Sequence, residues 1–241
     1  MTRLSMAAIR ERQRGLAALT LYNGPLDGVA GPKTQTAIAD FCAFEQLDPD
    51  SDDIAERLYE KVMALPVEQY REPEDLARTL HAVCKSLYRD DLKLPAYMMG
   101  TVQHETKAAY YPVEEAYYVT SEAARLRYLK GQNYWPYYGR GLVQLTWDFN
   151  YKKYGEILNL NLLGEPELVL EPSISLFILV HGMLTGTYTG KPLEQFINAN
   201  ACNYIQARRV VNGVRKGETL PDKAELIASY AKQWESFYAA R

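Results

Sequence analysis

Cysteine is scarce and unpatterned in this chain. Cys42, Cys84 and Cys202 are odd in number and widely spaced, matching neither a zinc ligand set nor a disulfide framework. Histidine is equally rare. Of His81, His104 and His181 no two stand one helical turn apart, so His104-Glu105 lacks the second histidine of a helical zinc-peptidase site. No metal and no cofactor are expected. No apolar run reaches eighteen residues, which argues against a membrane span and stable insertion. The N-terminus, Met1 to Arg12, is charged and helix-like, without the apolar core and small-residue cleavage site of a secretory signal. The expectation is synthesis in a reducing cytoplasm, with something else needed for release. Neither charge dominates: 27 Lys and Arg face 30 Asp and Glu, a net −3 that offers no general attraction to nucleic acid or anionic membrane. Repeats and low-complexity segments are also missing. What remains is an ordinary globular composition, 47% hydrophobic and 24% charged. Its 241 residues suffice for one large domain, or for a small and a medium one. Tyrosine is the excess: nineteen against six Phe, an apolar face with a polar tip that suits carbohydrate and ordinary cores alike.

The patterning is mainly helical. Ile9, Leu16 and Leu19 form one stripe, with Gln13 between them. A turn-rich stretch from Tyr22 to Pro32 follows, with Pro32 placed for a first helical turn. Ala37, Ile38, Phe41 and Phe44 supply the next buried face, and Ile54, Leu58, Val62 and Leu65 a third over 52–64. Pro66 and Pro73 bracket a polar stretch, so residues 1–65 read as a three-helix unit, 66–73 as a linker and 74–241 as a second domain. In that domain Leu76, Leu80, Val83 and Leu87 share a stripe, and a helix over 95–106 carries Met98, Val102 and Glu105 in line. A Tyr-rich irregular region spans 110–138. Helices resume near Asn150, over 174–184, 192–198 and 204–211, and over 221–238. Leu142 to Thr146 is the best strand candidate.

Two carboxylates nine residues apart carry the chemistry. Glu105 ends an apolar helical stripe, where burial and the negative helix terminus favour the protonated form that a general acid needs. The alternative is an exposed Glu at a frayed end. Glu114 and Glu115 follow Pro112 in a loop, placed to face water as a base or simply solvated. Gly139-Arg140-Gly141 lets the backbone approach a ligand while Arg140 pairs with a carboxylate, or it is a bend before a buried strand. Gln144, Thr146 and Asn150 add amides and a hydroxyl suited to sugar substituents. An acid, a base and polar aromatic walls are the requirements of glycoside hydrolysis.

Two resemblances sharpen this reading. Gly24-Pro25-Leu26-Asp27-Gly28-Val29-Ala30-Gly31-Pro32-Lys33-Thr34, with Ala37, Ile38 and Phe41, resembles the peptidoglycan-binding domain of bacterial and phage wall hydrolases. That likeness implies a three-helix module holding its enzyme on murein; the alternative is a tight interhelical turn. His104-Glu105-Thr106, the run from Tyr137 to Trp147, Asn150-Tyr151 and the run from Ala207 to Gly213 resemble signatures of family 19 glycoside hydrolases, the chitinases and phage lysozymes. The resemblance implies a two-lobed, lysozyme-like helical domain that inverts anomeric configuration. It puts Glu105 on the general acid, Glu114 nearest the second carboxylate and Thr146 on the hydroxyl that positions water. It also puts Gln144, Asn150 and Asn212 on sugar contacts and Arg140 on a structural arginine of the cleft, with Tyr138 and Glu115 as further substrate-side candidates. The spacing of the carboxylates is shorter than in plant chitinases, whose disulfides are absent, and looks like the phage branch. Glu114 against Glu115 stays open, as does a role for Glu122. The expectation is a monomeric endolysin made in the host cytoplasm without a signal peptide. Its partner is bacterial peptidoglycan, not nucleic acid, and a separate holin-type protein lets it reach the wall.

Overall fold

Ser5 starts the first helix. Its hydroxyl accepts the Ala8 N–H at 3.2 Å and opens α1 (Met6–Ala18) in a computed structural model that describes residues 4–65, 70, 72–87, 89–214 and 217–240. α1 stops where Thr20 enters the left-handed region at φ 63° and the Leu21 N–H reaches the Leu16 carbonyl at 2.9 Å. Pro32 opens α2 (Pro32–Glu45) as expected, and α3 (Ile54–Met63) follows. α2 buries Thr34, Ala37, Phe41 and Cys42; Phe44, expected inside, is exposed because it falls on the outer side of that arc.

Gln13 ties these helices together. Fully buried, its amide nitrogen lies 2.9–3.3 Å from Tyr22 Oη, Asp27 Oδ1, the Val29 carbonyl and Thr34 Oγ1. Its amide oxygen accepts the Gly28 N–H at 2.9 Å. The turn residues are thus fixed by one neutral side chain, and the Gln13 amide, with the Val29 N–H, holds the Asp27 carboxyl below its usual range.

The remaining chain wraps a buried helix. α4 (Pro73–Ser86) begins with the Glu72 N–H on the Asp75 carboxylate at 3.3 Å, so Pro73 stands in the first turn of this helix. Residues 66–69 and 71 of the expected linker lie outside the described residues. α5 (Lys93–Glu105) is buried continuously from Leu94 to Val102. Then come β1 (Val113–Glu114), α6 (Glu122–Lys130), β2 (Arg140–Gly141), α7 (Asp148–Leu158) and α8 (Pro172–Thr185). A short hairpin, β3 (Ile197–Asn198) and β4 (Ala201–Cys202), precedes α9 (Tyr204–Ala207) and α10 (Ala224–Ala239). α8 is buried from Ser175 to Thr185 except at Phe177, and forms the axis of the domain. α5 crosses α10 closely because Gly100 leaves no side chain there: a Cβ would stand 2.8 Å from the Ala231 nitrogen. Trp234 Nε1 donates to Gln103 Oε1 at 3.0 Å across the same contact.

Three sequence expectations are corrected. Within the Tyr-rich region, residues 122–130 are helical, started by Ser121 accepting the Ala124 N–H at 3.4 Å; tyrosine density had hidden an ordinary helix signal. Residues 142–144 form a turn, not a strand. Arg140 and Leu145 pair across it, with Gly141 at φ 84° and Gln144 at φ 54°. Residues 192–198 are not a helix: a single 3-10 turn at Leu193–Gln195 leads directly into β3.

The fold is mainly α, and its N-terminal helices are not held apart from the rest. Arg14 Nε donates to the Glu156 carbonyl at 3.2 Å, and Asn23 Nδ2 to the Thr185 carbonyl at 3.1 Å. Leu16, Phe41 and Leu58 share one hydrophobic core with Leu80, Tyr154 and Leu179. Among the described residues no helix is long and apolar enough to cross a membrane.

Candidate active site

The C-terminus of α5 sets the first carboxylate. Thr106, buried, donates its hydroxyl to the Val102 carbonyl at 2.7 Å, and left-handed residues Lys107, Ala108 and Tyr110 turn the chain back. Tyr117 Oη then donates to the Thr106 carbonyl at 2.8 Å, clamping the returning segment to the helix end. Glu105 and Glu114 are brought onto adjoining segments by this reversal. β1 pairs antiparallel with β2, setting Glu114 opposite Arg140 and Val113 opposite Gly141. Gly141 is required: a Cβ there would stand 2.6 Å from Ser175 Oγ, which accepts the Leu142 N–H at 2.7 Å.

The two carboxylates sit in different surroundings. Glu105 is mostly buried, with Arg208 Nη1 2.7 Å from Oε1; Arg208 is itself buried and also reaches the Asp222 carbonyl. The sequence expectation placed Glu105 among apolar residues and a helix dipole alone, and the facing guanidinium corrects it. Glu114 forms an ion pair with Arg125 of α6, accepts from Tyr138 Oη at 2.8 Å and has Arg140 Nε at 3.8 Å. Partial burial opposes its ionisation, but the bond from Arg125 and then that from Tyr138 outweigh it, so its pKa falls below the ordinary 4.5. Glu114 is therefore an anion at neutral pH.

Arg140 organises the floor. It is buried, donates through Nη1 to the Pro136 and Tyr138 carbonyls and to Tyr151 Oη, and lies 3.7 Å from the Tyr138 ring centre. Its Nε makes no hydrogen bond and points its charge toward Glu114. Gln144 donates to the Val113 carbonyl at 2.9 Å, joining the turn to β1. Thr146 donates to the Gln144 carbonyl at 3.0 Å and Asn150 to the Thr146 carbonyl at 2.8 Å, so both polar side chains are oriented by their own loop.

Glu115 is turned inward. Its oxygens accept Tyr128 Oη, Tyr134 Oη and the Gly139 N–H at 2.7–3.0 Å, so this substrate-side candidate is held by its own loop. Glu122 is exposed in the first turn of α6, and Asn212 is exposed one turn beyond Arg208. His104 is half-buried, and burial pulls its pKa below the usual value against the attraction of Glu105. Among the described residues no three His, Cys, Asp or Glu converge as a metal set. Exposed aromatics extend from the tyrosines that bind these carboxylates: Trp135 stacks on Tyr138 with centroids 5.8 Å apart, and Trp147 packs edge-on against Tyr134 at 5.5 Å. Such faces suit the apolar side of a sugar ring.

Sequence reasoning missed Arg125 and Arg208. Arg208 stood in a quoted motif without a role, because its partner is 103 residues away. Arg125 lay in the helix that the tyrosines obscured.

Residues 95–192 match the glycoside hydrolase family 19 model, described as chitinase class I. A basic endochitinase of Brassica napus is 64% identical over 33 residues, 14% of this chain and 12% of that protein. An endochitinase of Arabidopsis thaliana is 35% identical over 80 residues, 31% of this chain and 26% of the other. An inactive chitinase-like protein 1 of Hevea brasiliensis is 54% identical over 33 residues, 14% and 10% of the two chains. Each alignment spans about a quarter or less of the relative's length.

Proposed function

We propose that the chain is a modular endolysin that hydrolyses the β-1,4 bond between N-acetylmuramic acid and N-acetylglucosamine. The observation that carries the chemistry is Glu114, held as a carboxylate on the segment clamped to the helix end that bears Glu105. Glu105 gives its proton to the glycosidic oxygen, and the C1–O bond breaks toward the leaving sugar. Water attacks C1 from the opposite face and passes a proton to Glu114, inverting the anomeric centre. Thr146 orients that water, while Tyr138, Gln144, Asn150 and Asn212 hold the sugars. For Glu105 to deliver a proton, its contact with Arg208 has to open as the sugar enters.

The choice of murein rests on the Asp27 to Thr34 turn and its resemblance to wall-binding modules, with residues 1–65 as the binding domain and 74–241 as the enzyme. The reading includes a phage-encoded monomer that a holin-type protein lets through the membrane. A second reading, a chitinase on the same fold, is favoured by the endochitinase names among its relatives.

Product analysis on purified murein and on chitin decides between them. The murein reading expects new reducing ends from murein with α configuration at the moment of cleavage, and little release from chitin. Anhydro sugars would indicate transglycosylation, and faster release from chitin would replace this reading with the second. Glu105→Gln is expected to cut hydrolysis per folded molecule by about a hundredfold to ten-thousandfold, with some loss of stability because Arg208 then faces a neutral amide. Wild-type clearing by that variant removes Glu105 as the acid.

A further inference from the structure

Positive charge gathers at the carboxylates of a chain that is otherwise slightly acidic, with a net −3. Arg208 faces Glu105, Arg125 and Arg140 face Glu114, and Glu115 is held by Tyr128, Tyr134 and the Gly139 N–H. These arginines already match the three carboxylates in number. Lys107 and Lys130 are therefore surplus. Both are exposed, and among the described residues neither lies within ion-pair distance of a carboxylate.

An aromatic ring fixes each lysine instead. Lys107 Nζ stands 4.1 Å from the Tyr118 ring centre, and Lys130 Nζ 5.9 Å from that of Trp135. A π face attracts an ammonium but takes up none of its N–H donors and none of its net charge. An ion pair would cancel the charge; a ring sets its position and leaves it unanswered.

Both rings adjoin the reacting groups. Trp135 stacks on Tyr138 with centres 5.8 Å apart, and the Tyr138 hydroxyl donates to Glu114 at 2.8 Å. Lys107 follows the acid by two residues, and Tyr118 packs edge-on against Tyr117, whose hydroxyl holds the Thr106 carbonyl at 2.8 Å. A neutral glycan gains nothing from surplus cations beside its cleavage point. Murein differs, because alternate sugars bear a carboxylate, on the lactyl group of N-acetylmuramic acid or on the peptide attached to it.

We propose that Lys107 and Lys130 recognise this carboxylate and make the site selective for murein over chitin. The inference rests on the proposed murein hydrolysis and names the group by which that substrate is told from a neutral glycan. Lys130 also stands in the last turn of α6, where a cation suits the helix end, but that role would affect every substrate equally.

The test is kcat/KM on soluble murein strands, on the same strands methyl-esterified at their carboxyls, on strands stripped of peptide, and on a chitin oligosaccharide. Lys130→Gln is expected to lower the value on untreated strands about threefold, through KM, and Lys107→Gln with Lys130→Gln about tenfold, the order of one and two exposed ion pairs. Esterified strands and chitin should be unaffected by Lys130→Gln, and Lys130→Arg should keep the wild-type value. The wild-type preference for untreated strands should shrink with added salt. A deficit that persists on stripped strands assigns the lactyl carboxylate, and one confined to peptide-bearing strands assigns the peptide. An equal deficit of Lys130→Gln on esterified strands or chitin, or no deficit on untreated strands, would overturn the proposal. If the wild type cleaves no murein, the hydrolysis reading falls and takes this inference with it; murein cleavage indifferent to both lysines removes the inference alone.

Discussion

Gln13 and Arg140 do the same structural work with opposite consequences. Each is a buried polar side chain at the centre of a glycine-containing turn, and each replaces regular secondary structure with hydrogen bonds to that turn. Gln13 is neutral, and both ends of its amide are engaged. Arg140 carries a charge that its own turn does not neutralise, and its Nε faces Glu114 without a bond. The N-terminal turn is therefore a device of shape, whereas the second turn also exports a field to a carboxylate. A fold-determining network becomes a functional one when it leaves part of its electrostatics unanswered.

Replacing that charge should break the comparison most severely. Arg140→Gln leaves an amide too short for the same carbonyls and removes the cation from Glu114. A loss of about 3 kcal/mol in denaturant unfolding is expected, together with loss of hydrolysis. Gln13→Leu tests the neutral counterpart. It leaves the Gly28 N–H without its partner and removes the Gln13 donor from Asp27 and Thr34, for about 2 kcal/mol, yet hydrolysis of soluble murein fragments per folded molecule should stay at wild-type level. Equal loss of activity in both variants would erase the distinction between them.

Arg125→Ala sharpens it further. With the Arg125 guanidinium gone, the Glu114 pKa should rise toward 4.5, moving the acid limb of the kcat/KM profile to higher pH. The sign for stability follows from the lowered folded pKa. The pair's contribution is present above the unfolded value and is lost as pH falls through the folded one, so the variant should lose less stability on acidification. The pair is partly exposed, and its removal should change stability at neutral pH by under about 1 kcal/mol. An unmoved acid limb would mean that Glu114 does not govern it. The smallest effect is expected at the start of α1. Ser5→Ala removes the cap at Ala8 and should lower stability by about 0.5–1 kcal/mol without touching the pH profile.

Helix content was legible where apolar spacing repeats, as at Leu76, Leu80, Val83 and Leu87 in α4, and where proline marks a first turn, as at Pro32. It was illegible where composition misled: the tyrosines around α6 read as loop, and the apolar run after Gly141 read as strand although it closes a turn. Phe44 shows the limit of periodicity, since a hydrophobic residue one step off the buried arc faces water. Among the candidate residues, Glu105, Glu114 and Arg140 were named from local pattern. The inward turn of Glu115 depended on Tyr128, Tyr134 and Gly139, contacts that no spacing rule encodes.

The sequence by itself determined the helical elements, the turn from Asp27 to Thr34 and the order of the carboxylates, because these depend on neighbours within a few residues. Only the tertiary structure decided which cation meets which carboxylate. Arg208 reaches Glu105 across 103 residues and Arg125 reaches Glu114 from a neighbouring helix. It also decided that α1 and α3 form an open apolar groove against α8. Local propensity acts along the chain, but charge pairing and interhelical grooves arise where distant segments pack, and their position is set by the fold as a whole.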